Sequence, residues 1–292
     1  MSGLTAASKH ITGGIALLVL GVGAAIFVLT GGLGFLFVRA HSAAVVRWNR
    51  GLEQRVEDQT REIVKAHEGI TFGIAKLAEY RDNETGMHVD RMCAYSAILA
   101  RQMREMGEDL TEEWIHQLRV SASLHDIGKV STPDAILLKP GRLTADEFEI
   151  MKGHAATGRE ALEAVRAHVG PNPLIGMGIE IAGGHHERWD GSGYPHGVAG
   201  DDIPLSARIV AVADVFDALM SKRVYKEAMP IEQVEEIIRS SSGGHFDPRV
   251  VAAFFAVEDE LIEVRRVLHD AAEPVPESPH QEHGDEVRSI AA

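Results

Sequence analysis

The feature that most constrains this chain is an uncharged run of 28 residues at positions 11–38. About 20 apolar helical residues are enough to cross the hydrocarbon core of a bilayer. The run contains seven glycines, which membrane helices tolerate better than soluble ones do. A cleaved signal peptide is the rival interpretation, but its apolar core is typically only ~7–15 residues long. We therefore expect a transmembrane helix at residues 11–38, preceded by a short segment at residues 1–10.

Basic residues flank this predicted span unequally. Lys9 and the amino terminus precede it, whereas Arg39, Arg47, Arg50 and Arg55 follow it. Cytoplasmic flanks carry the excess of lysine and arginine, so the remainder of the chain is expected on the cytoplasmic side of the inner membrane. The expected topology is a single pass, which leaves about ten residues outside, too few for an external sensor domain.

Residues 39–77 form the next predicted segment, a polar helix with an apolar seam. One apolar series recurs at heptad spacing, at Val56, Ile63, Ile70 and Leu77. A second series is interleaved with it, at Leu52, Gln59, Ala66 and Gly73. Alternating steps of four and three place both series on one stripe, which indicates a coiled coil and a homodimer through residues 45–77. A single amphipathic helix packed on the following domain is the alternative, because Gln59 and Gly73 weaken the seam.

The rest of the sequence predicts a helical body and an acidic tail. Helical periodicity recurs from residue 70 to residue 270 with almost no strand alternation, so an all-α fold is expected, with a compact helical bundle at residues 78–268. The expected helices are residues 87–106, 112–125, 145–166, 174–183, 205–220, 231–240 and 248–267. Residues 269–292 contain three prolines, several acids and few large apolar residues, which predicts a disordered tail.

Composition excludes two classes of function. The formal net charge is −14, from 29 basic and 43 acidic residues, which argues against binding of DNA or RNA polymers. The single cysteine, Cys93, excludes an internal disulfide and a cysteine-rich zinc module. Histidine is the unusual component, with 15 residues.

Histidine and carboxylate side chains fall in five clusters along the helical body. They are Glu84 with His88, His125 with Asp126, His154 alone, His185 with His186, and Asp214 alone. A single core histidine is usually just hydrogen-bonded, but Asp214 lies inside an apolar predicted helix, where a carboxylate needs a cation or strong donors. Eight such side chains exceed what one tetrahedral zinc ion uses. They fit two or three divalent ions; Fe or Mn is favoured, and Zn, Ni and Co are alternatives.

These residues resemble the signature of HD-type metal phosphohydrolases. His125 and Asp126, followed by Gly128 and Lys129, are similar to the HD motif, and residues 193–195 (Gly-Tyr-Pro) resemble those of the HD-GYP group. Matching segments occur in the family's order at residues 81–88, 125–129, 138–140, 143–144, 154, 185–195, 203–204 and 214–219. The resemblance spans about residues 78–260. It implies a helical bundle that hydrolyses cyclic di-GMP with two or three metal ions, with the eight clustered side chains as the ligands.

The chemistry expected of such a site agrees with these residue types. Two close metal ions lower the pKa of a bridging water, bind phosphate oxygens and stabilise the leaving O3′. Asp126 is expected to join the ions. Lys129 is a candidate to contact the phosphate or to protonate the leaving group; a solvated helix lysine is the alternative.

Substrate contacts are expected from three further residues. Arg223 and Lys226 are similar in position to the basic pair with which the family holds its substrate; as bare residues they could be an exposed cationic turn. Tyr194 either stacks on a guanine or shapes its loop.

The function predicted from the sequence is therefore hydrolysis of cyclic di-GMP to linear pGpG, with onward hydrolysis to GMP left open. One alternative is a binding or scaffold module that recruits signalling proteins with little turnover. Another is an HD phosphohydrolase for a different cyclic dinucleotide.

Overall fold

The computed structural model describes residues 2–82, 86–221 and 228–269, with side chains from residue 13 onward. Three predicted site residues, Glu84, Arg223 and Lys226, lie outside the described residues, as does the predicted tail from residue 270. The chain divides into two compact units, residues 1–66 and residues 67–292.

Helix α1 (Ser2–Glu79) includes both the predicted span and the polar segment after it. By length and composition, α1 is the one described helix able to cross a membrane. Its apolar side chains are exposed, with Leu17 at 73% and Phe27 at 79%, unlike those of a helix buried in a soluble core.

The second unit contains the last turns of α1, from residue 67, and the helices that follow it. They are α2 (His88–Glu105), α3 (Glu112–Ser121), α4 (Asp134–Leu137), α5 (Ala145–Val169), α6 (Pro173–Gly184), α7 (Leu205–Met220), α8 (Ile231–Ser240), α9 (Pro248–Ala256) and α10 (Glu258–Val267). The described residues contain no β-strand, and the predicted all-α fold is confirmed.

Two of the expected helices are interrupted. The predicted helix at residues 112–125 ends at Ser121, and two 3-10 helices follow it, Ala122–Leu124 and Ile127–Ser131. The predicted helix at residues 248–267 breaks at Val257 into α9 and α10. Three acidic residues open α10, where the positive end of a helix dipole favours them, so a new helix begins there.

Helix α2 runs through the main hydrophobic core. Its Tyr95 ring contacts Phe216 of α7, and Phe216 contacts Phe254 of α9, each pair with ring centroids 5.2 Å apart. All three rings are fully buried. Because these contacts hold α2 beside α7, His88 at the start of α2 lies beside Asp214 of α7.

A smaller core joins α5 and α6 to the segment between α3 and α4. Leu124, Leu162 and Ile179 are buried in it. Gly128 touches α5 so closely that a Cβ atom there would lie 1.9 Å from the carbonyl oxygen of His154 and 2.6 Å from the nitrogen of Gly158. The absence of a side chain at Gly128 therefore brings residues 125–126 against the helix that carries His154.

The last turns of α1 pack against α2. Phe72 and Ala75 cluster with Val89 and Cys93, and the Glu79 carboxylate accepts a hydrogen bond of 3.2 Å from the backbone N–H of Val89. The heptad series is not used in this contact, since Ile70 is 61% exposed and Leu77 is 71% exposed. This part of α1 therefore has one apolar face packed on its own domain and a second one that is exposed.

Candidate metal centre

Two groups of possible metal ligands lie side by side in the second unit. In the first, Asp126, His154, His185 and His186 have ligand atoms within 4.8 Å of one another. In the second, the same is true of His88, His125 and Asp214. We call these the four-residue cluster and the three-residue cluster.

Asp126 connects the two clusters. Its Oδ1 atom lies 3.2 Å from Nε2 of His154 and 3.7 Å from Nε2 of His185. Its Oδ2 atom lies 3.2 Å from Nε2 of His125, which belongs to the three-residue cluster. Within that cluster, Nε2 of His88 lies 3.3 Å from Nε2 of His125 and 4.0 Å from Oδ1 of Asp214. One carboxylate thus faces both sets of imidazoles.

Backbone carbonyls orient three of these imidazoles. The Nδ1 atoms of His125, His154 and His185 donate to the carbonyl oxygens of residues 122, 151 and 181, at 2.9, 2.6 and 3.0 Å. Each accepting residue lies three or four positions earlier in the same helical segment. With Nδ1 protonated, Nε2 carries the lone pair that a metal ion binds.

His88 is oriented by a carboxylate instead. Its Nδ1 atom donates to Oδ2 of Asp217 at 2.8 Å. Asp217 is 1% exposed, and Arg91 donates to both of its oxygens, at 2.6 and 2.9 Å. Burial alone would raise the pKa of Asp217, but Arg91 and the hydrogen bond from His88 hold it well below its usual range. Asp217 is therefore a buried anion behind His88.

The unpaired atoms of the centre fit bound cations. Among the described residues, the buried atoms without a hydrogen-bond partner include Oδ1 of Asp126 and Nε2 of both His154 and His185. All three are acceptors in the tautomers given above, and acceptors 3.2 Å apart repel each other unless a cation lies between them. A buried carboxylate with imidazole nitrogens is the donor set of a first-row divalent ion.

The electrostatics favour the ligating form of Asp126, His185 and His186. For His125, burial lowers the pKa, but the nearby Asp126 carboxylate outweighs burial and raises it. Burial would raise the pKa of Asp126, but Lys129 and His125 hold it well below its usual range. Burial lowers the pKa of His185 and, together with His185 and His154, lowers that of His186 well below its ordinary value. Asp126 is therefore a carboxylate at neutral pH, and the imidazoles of His185 and His186 are neutral, as metal ligation requires.

Lys129 lies within the centre. Its ammonium is 2.7 Å from Oδ2 of Asp126 and 2.7 Å from Oδ2 of Asp82, and its side chain is 16% exposed. Arg81 holds residues 129–132 in place by donating to the carbonyl oxygens of Lys129 and Thr132, at 3.2 and 2.8 Å. This environment differs from the solvated helix lysine of the alternative interpretation.

The loop after α6 places Tyr194 against the four-residue cluster. The Tyr194 ring packs on His186, with centroids 4.7 Å apart and planes 31° apart. Gly193 allows the turn, because a Cβ atom there would lie 2.3 Å from the backbone nitrogen of Arg188. Glu187 holds the loop closed by accepting from the backbone N–H groups of His196 and Gly197.

Comparison with known families agrees with this geometry. The HD domain family matches residues 76–250. The chain belongs to the HD domain family. The family predicted from the sequence is thereby confirmed, and proteins of this family with phosphodiesterase activity are metal-dependent.

Three Vibrio cholerae relatives resemble this HD domain. One, named a probable cyclic di-GMP phosphodiesterase, is 46% identical over 226 residues, which are 76% of this chain and 51% of the relative. Another, named a cyclic di-GMP phosphodiesterase, is 44% identical over 220 residues, 74% of this chain and 45% of the relative. The third, named 3'3'-cGAMP-specific phosphodiesterase 2, is 42% identical over 201 residues, 69% of this chain and 37% of the relative. The chain thus spans about half the length of these relatives, or less.

The HD domain brings together the predicted site residues that the structure describes. The two clusters contain seven of the eight predicted ligands, namely His88, His125, Asp126, His154, His185, His186 and Asp214. Lys129 and Tyr194 lie beside them. Sequence reasoning missed Asp217, although a signal was present. Like Asp214, it is a carboxylate inside the apolar helix α7, three residues further on.

Proposed function

We propose that this protein is a metal-dependent phosphodiesterase that hydrolyses cyclic di-GMP to linear pGpG. The observation that supports it most is the position of Asp126, with one oxygen facing His154 and His185 and the other facing His125. Two divalent ions bound here, Fe or Mn by preference, would supply charge neutralisation for the phosphate and a lowered pKa for the attacking water. Glu84 is the proposed ligand for a third ion.

The side chains around the clusters have distinct proposed tasks. Asp126 holds the two clusters in one centre. Lys129, whose ammonium is 2.7 Å from Asp126, neutralises charge on the phosphate and donates a proton to the leaving oxygen. Tyr194 fixes the orientation of His186 through ring contact. Arg223 and Lys226 are proposed to hold the second phosphate of the substrate.

Turnover by metal-loaded protein tests this proposal. The protein is purified without oxygen, loaded with Mn or Fe, and assayed with cyclic di-GMP while bound metal is measured on the same sample. Asp126→Ala should lose both turnover and bound metal, whereas the exposed Asp202→Ala should keep both. Near-parent turnover in Asp126→Ala would refute the metal assignment, and full metal binding without turnover in the parent would favour a scaffold role.

A second substrate has a specific observation in its favour, the 42% identity to a 3'3'-cGAMP-specific phosphodiesterase. Both candidate substrates carry two phosphodiester bonds and at least one guanine, so the metal centre alone does not separate them. Rates measured with cyclic di-GMP and 3'3'-cGAMP under the same conditions decide between the two.

We also propose that α1 anchors the protein in the inner membrane by a single pass, with the HD domain in the cytoplasm, and pairs it with a second copy. The exposed heptad series supports pairing, with Val56 at 53%, Ile63 at 56% and Ile70 at 61%. Ile63→Cys in the full chain should form a disulfide-linked dimer on oxidation, whereas Lys65→Cys, on another face of the helix, should not. The single native cysteine, Cys93, is buried, so little cross-linking through it is expected. Equal cross-linking at both positions would refute the seam.

A further inference from the structure

Aromatic side chains continue outward from the four-residue cluster. The Tyr194 ring, which packs on His186, meets the ring of Phe148 at a centroid distance of 6.5 Å and an angle of 81°. Phe148 lies near the start of α5, the same helix that carries His154. It is 46% exposed and belongs to neither hydrophobic core. One ring therefore separates a candidate metal ligand from an exposed aromatic surface.

Lys152 lies in the corner between these two rings. Its ammonium is 5.1 Å from the centroid of Phe148 and 5.6 Å from that of Tyr194. It also pairs with Glu149 at 2.6 Å, and Glu149 is 69% exposed. A pair with an exposed carboxylate contributes little to stability. The flexible lysine stem lets the ammonium move to a bound partner.

We propose that Phe148 and Lys152 form a binding corner for one guanine base of the substrate, an inference that rests on the proposed function. Nucleobases stack on exposed aromatic rings, and Phe148 offers such a ring close to where the phosphate would bind. The edge of guanine presents two acceptors, N7 and O6, whereas adenine presents one acceptor and one donor. An ammonium has only donors, so Lys152 favours guanine over adenine.

Two features of the centre support this placement. The Tyr194 ring already packs on His186 and is less available for stacking than Phe148. In a cyclic dinucleotide one sugar separates each base from a phosphate. Only the Tyr194 ring separates Phe148 from His186, so a phosphate at the four-residue cluster would place a base near Phe148. The corner therefore serves the part of the substrate that the metal centre does not contact.

A competition assay tests the corner separately from catalysis. The metal-loaded chain is assayed for hydrolysis of the chromogenic diester bis(p-nitrophenyl) phosphate, with cyclic di-GMP, cyclic di-AMP or ribose 5-phosphate added as competitor. Inhibition constants require binding but no cleavage, so a failure of cyclic di-GMP turnover overturns the proposed function without affecting this measurement.

Phe148→Ala should raise the inhibition constant of cyclic di-GMP about tenfold, from the usual strength of base stacking, and leave that of ribose 5-phosphate unchanged. Phe148→Trp should retain binding, and Ile150→Ala, which removes an equally exposed apolar side chain from the same helix, should change neither constant. Lys152→Met should reduce the preference for cyclic di-GMP over cyclic di-AMP. Equal changes for cyclic di-GMP and ribose 5-phosphate, or no change in Phe148→Ala, would overturn the proposal.

Discussion

Replacing Asp217 with asparagine removes one negative charge from the interior of the HD domain and nearly preserves the shape of the side chain. One carboxylate oxygen accepts from Arg91 Nε at 2.6 Å, and the other accepts from His88 Nδ1 at 2.8 Å and Arg91 Nη2 at 2.9 Å. An amide has a single acceptor oxygen. Its NH2 group would therefore face a donor of Arg91 or His88.

The expected loss of stability follows from the burial of the pair. Arg91 is 0% exposed and Asp217 is 1% exposed, so the substitution removes a carboxylate from direct contact with a buried guanidinium. Removing one partner of such a pair typically costs about 3–5 kcal/mol, within the ~5–15 kcal/mol total stability of typical domains. The variant should fold, with clearly lower stability.

The difference in stability between the parent and Asp217→Asn should depend on pH in a defined direction. The folded state lowers the pKa of Asp217, so the carboxylate stabilises the protein above the ordinary pKa of aspartate, and this contribution falls as the pH drops toward the folded pKa. The gap between the parent and Asp217→Asn should accordingly be complete at neutral pH and shrink below about pH 4.

Metal affinity should fall by about 10- to 100-fold, the usual effect of removing the partner of a ligating histidine. The loss should be confined to the three-residue cluster, because Asp217 contacts His88 and no residue of the four-residue cluster. Denaturant unfolding in the presence of a chelator measures the stability, and metal titration of the folded protein measures the two sites.

Arg265→Met is the matched control. Arg265 lies 3.4 Å from Oδ1 of Asp217, so its loss weakens the same buried network and leaves the hydrogen bond from His88 in place. This variant should lose stability but keep its metal affinity. If Asp217→Asn binds two ions as tightly as the parent, or Arg265→Met loses metal to the same degree, the orienting role of Asp217 is refuted.

Two further predictions concern packing and charge. Gly128→Ala should lower stability by about 3 kcal/mol or more and weaken metal binding, because its Cβ would lie 1.9 Å from the His154 carbonyl oxygen. Gly153→Ala is the control, because a Cβ atom there meets open space, and it should raise the free energy of unfolding by up to about 1 kcal/mol. Equal free energies of unfolding in the two variants would contradict this prediction. Burial and the nearby Glu235 raise the pKa of Glu258 to about 7, so stability should fall as pH rises from about 4.5 to 7. Glu258→Gln should remove that slope in denaturant unfolding at pH 5 and pH 8, and an unchanged slope would exclude Glu258 as its source.

The fold could be predicted where local pattern decides it. Helix α7 (Leu205–Met220) begins and ends where the sequence predicts, because most of its residues are apolar and Pro204 precedes it. The 3-10 helix at Ile127–Ser131 could not be predicted, since Gly128 within it packs against residues of α5 that are 26 or more positions away. Contacts of this kind leave no periodic trace in the sequence.

The sequence predicted which residue types form the candidate centre, but not how the ligands divide into two clusters. Clustered histidines and carboxylates indicate a site for several ions, but only the fold shows that the two oxygens of Asp126 face different imidazoles. Asp217, by contrast, could have been identified from the sequence, because it is a carboxylate inside an apolar helix, as Asp214 is. Its role was hidden because the residues that neutralise it, Arg91 and Arg265, come from α2 and α10, far apart in the chain.

The hydrogen bonds behind the imidazoles have a consequence for the metal-free protein. Folding itself sets the direction of His88, His125, His154 and His185, because the partners of Nδ1 belong to the chain. A small zinc module, by contrast, unfolds without its ion. We expect this domain to keep its architecture when it is empty and to accept first-row ions into a preformed frame. The ion bound in the centre would then be the first-row ion that is most abundant in the cell, so the activity of the protein would vary with the intracellular concentrations of these metals.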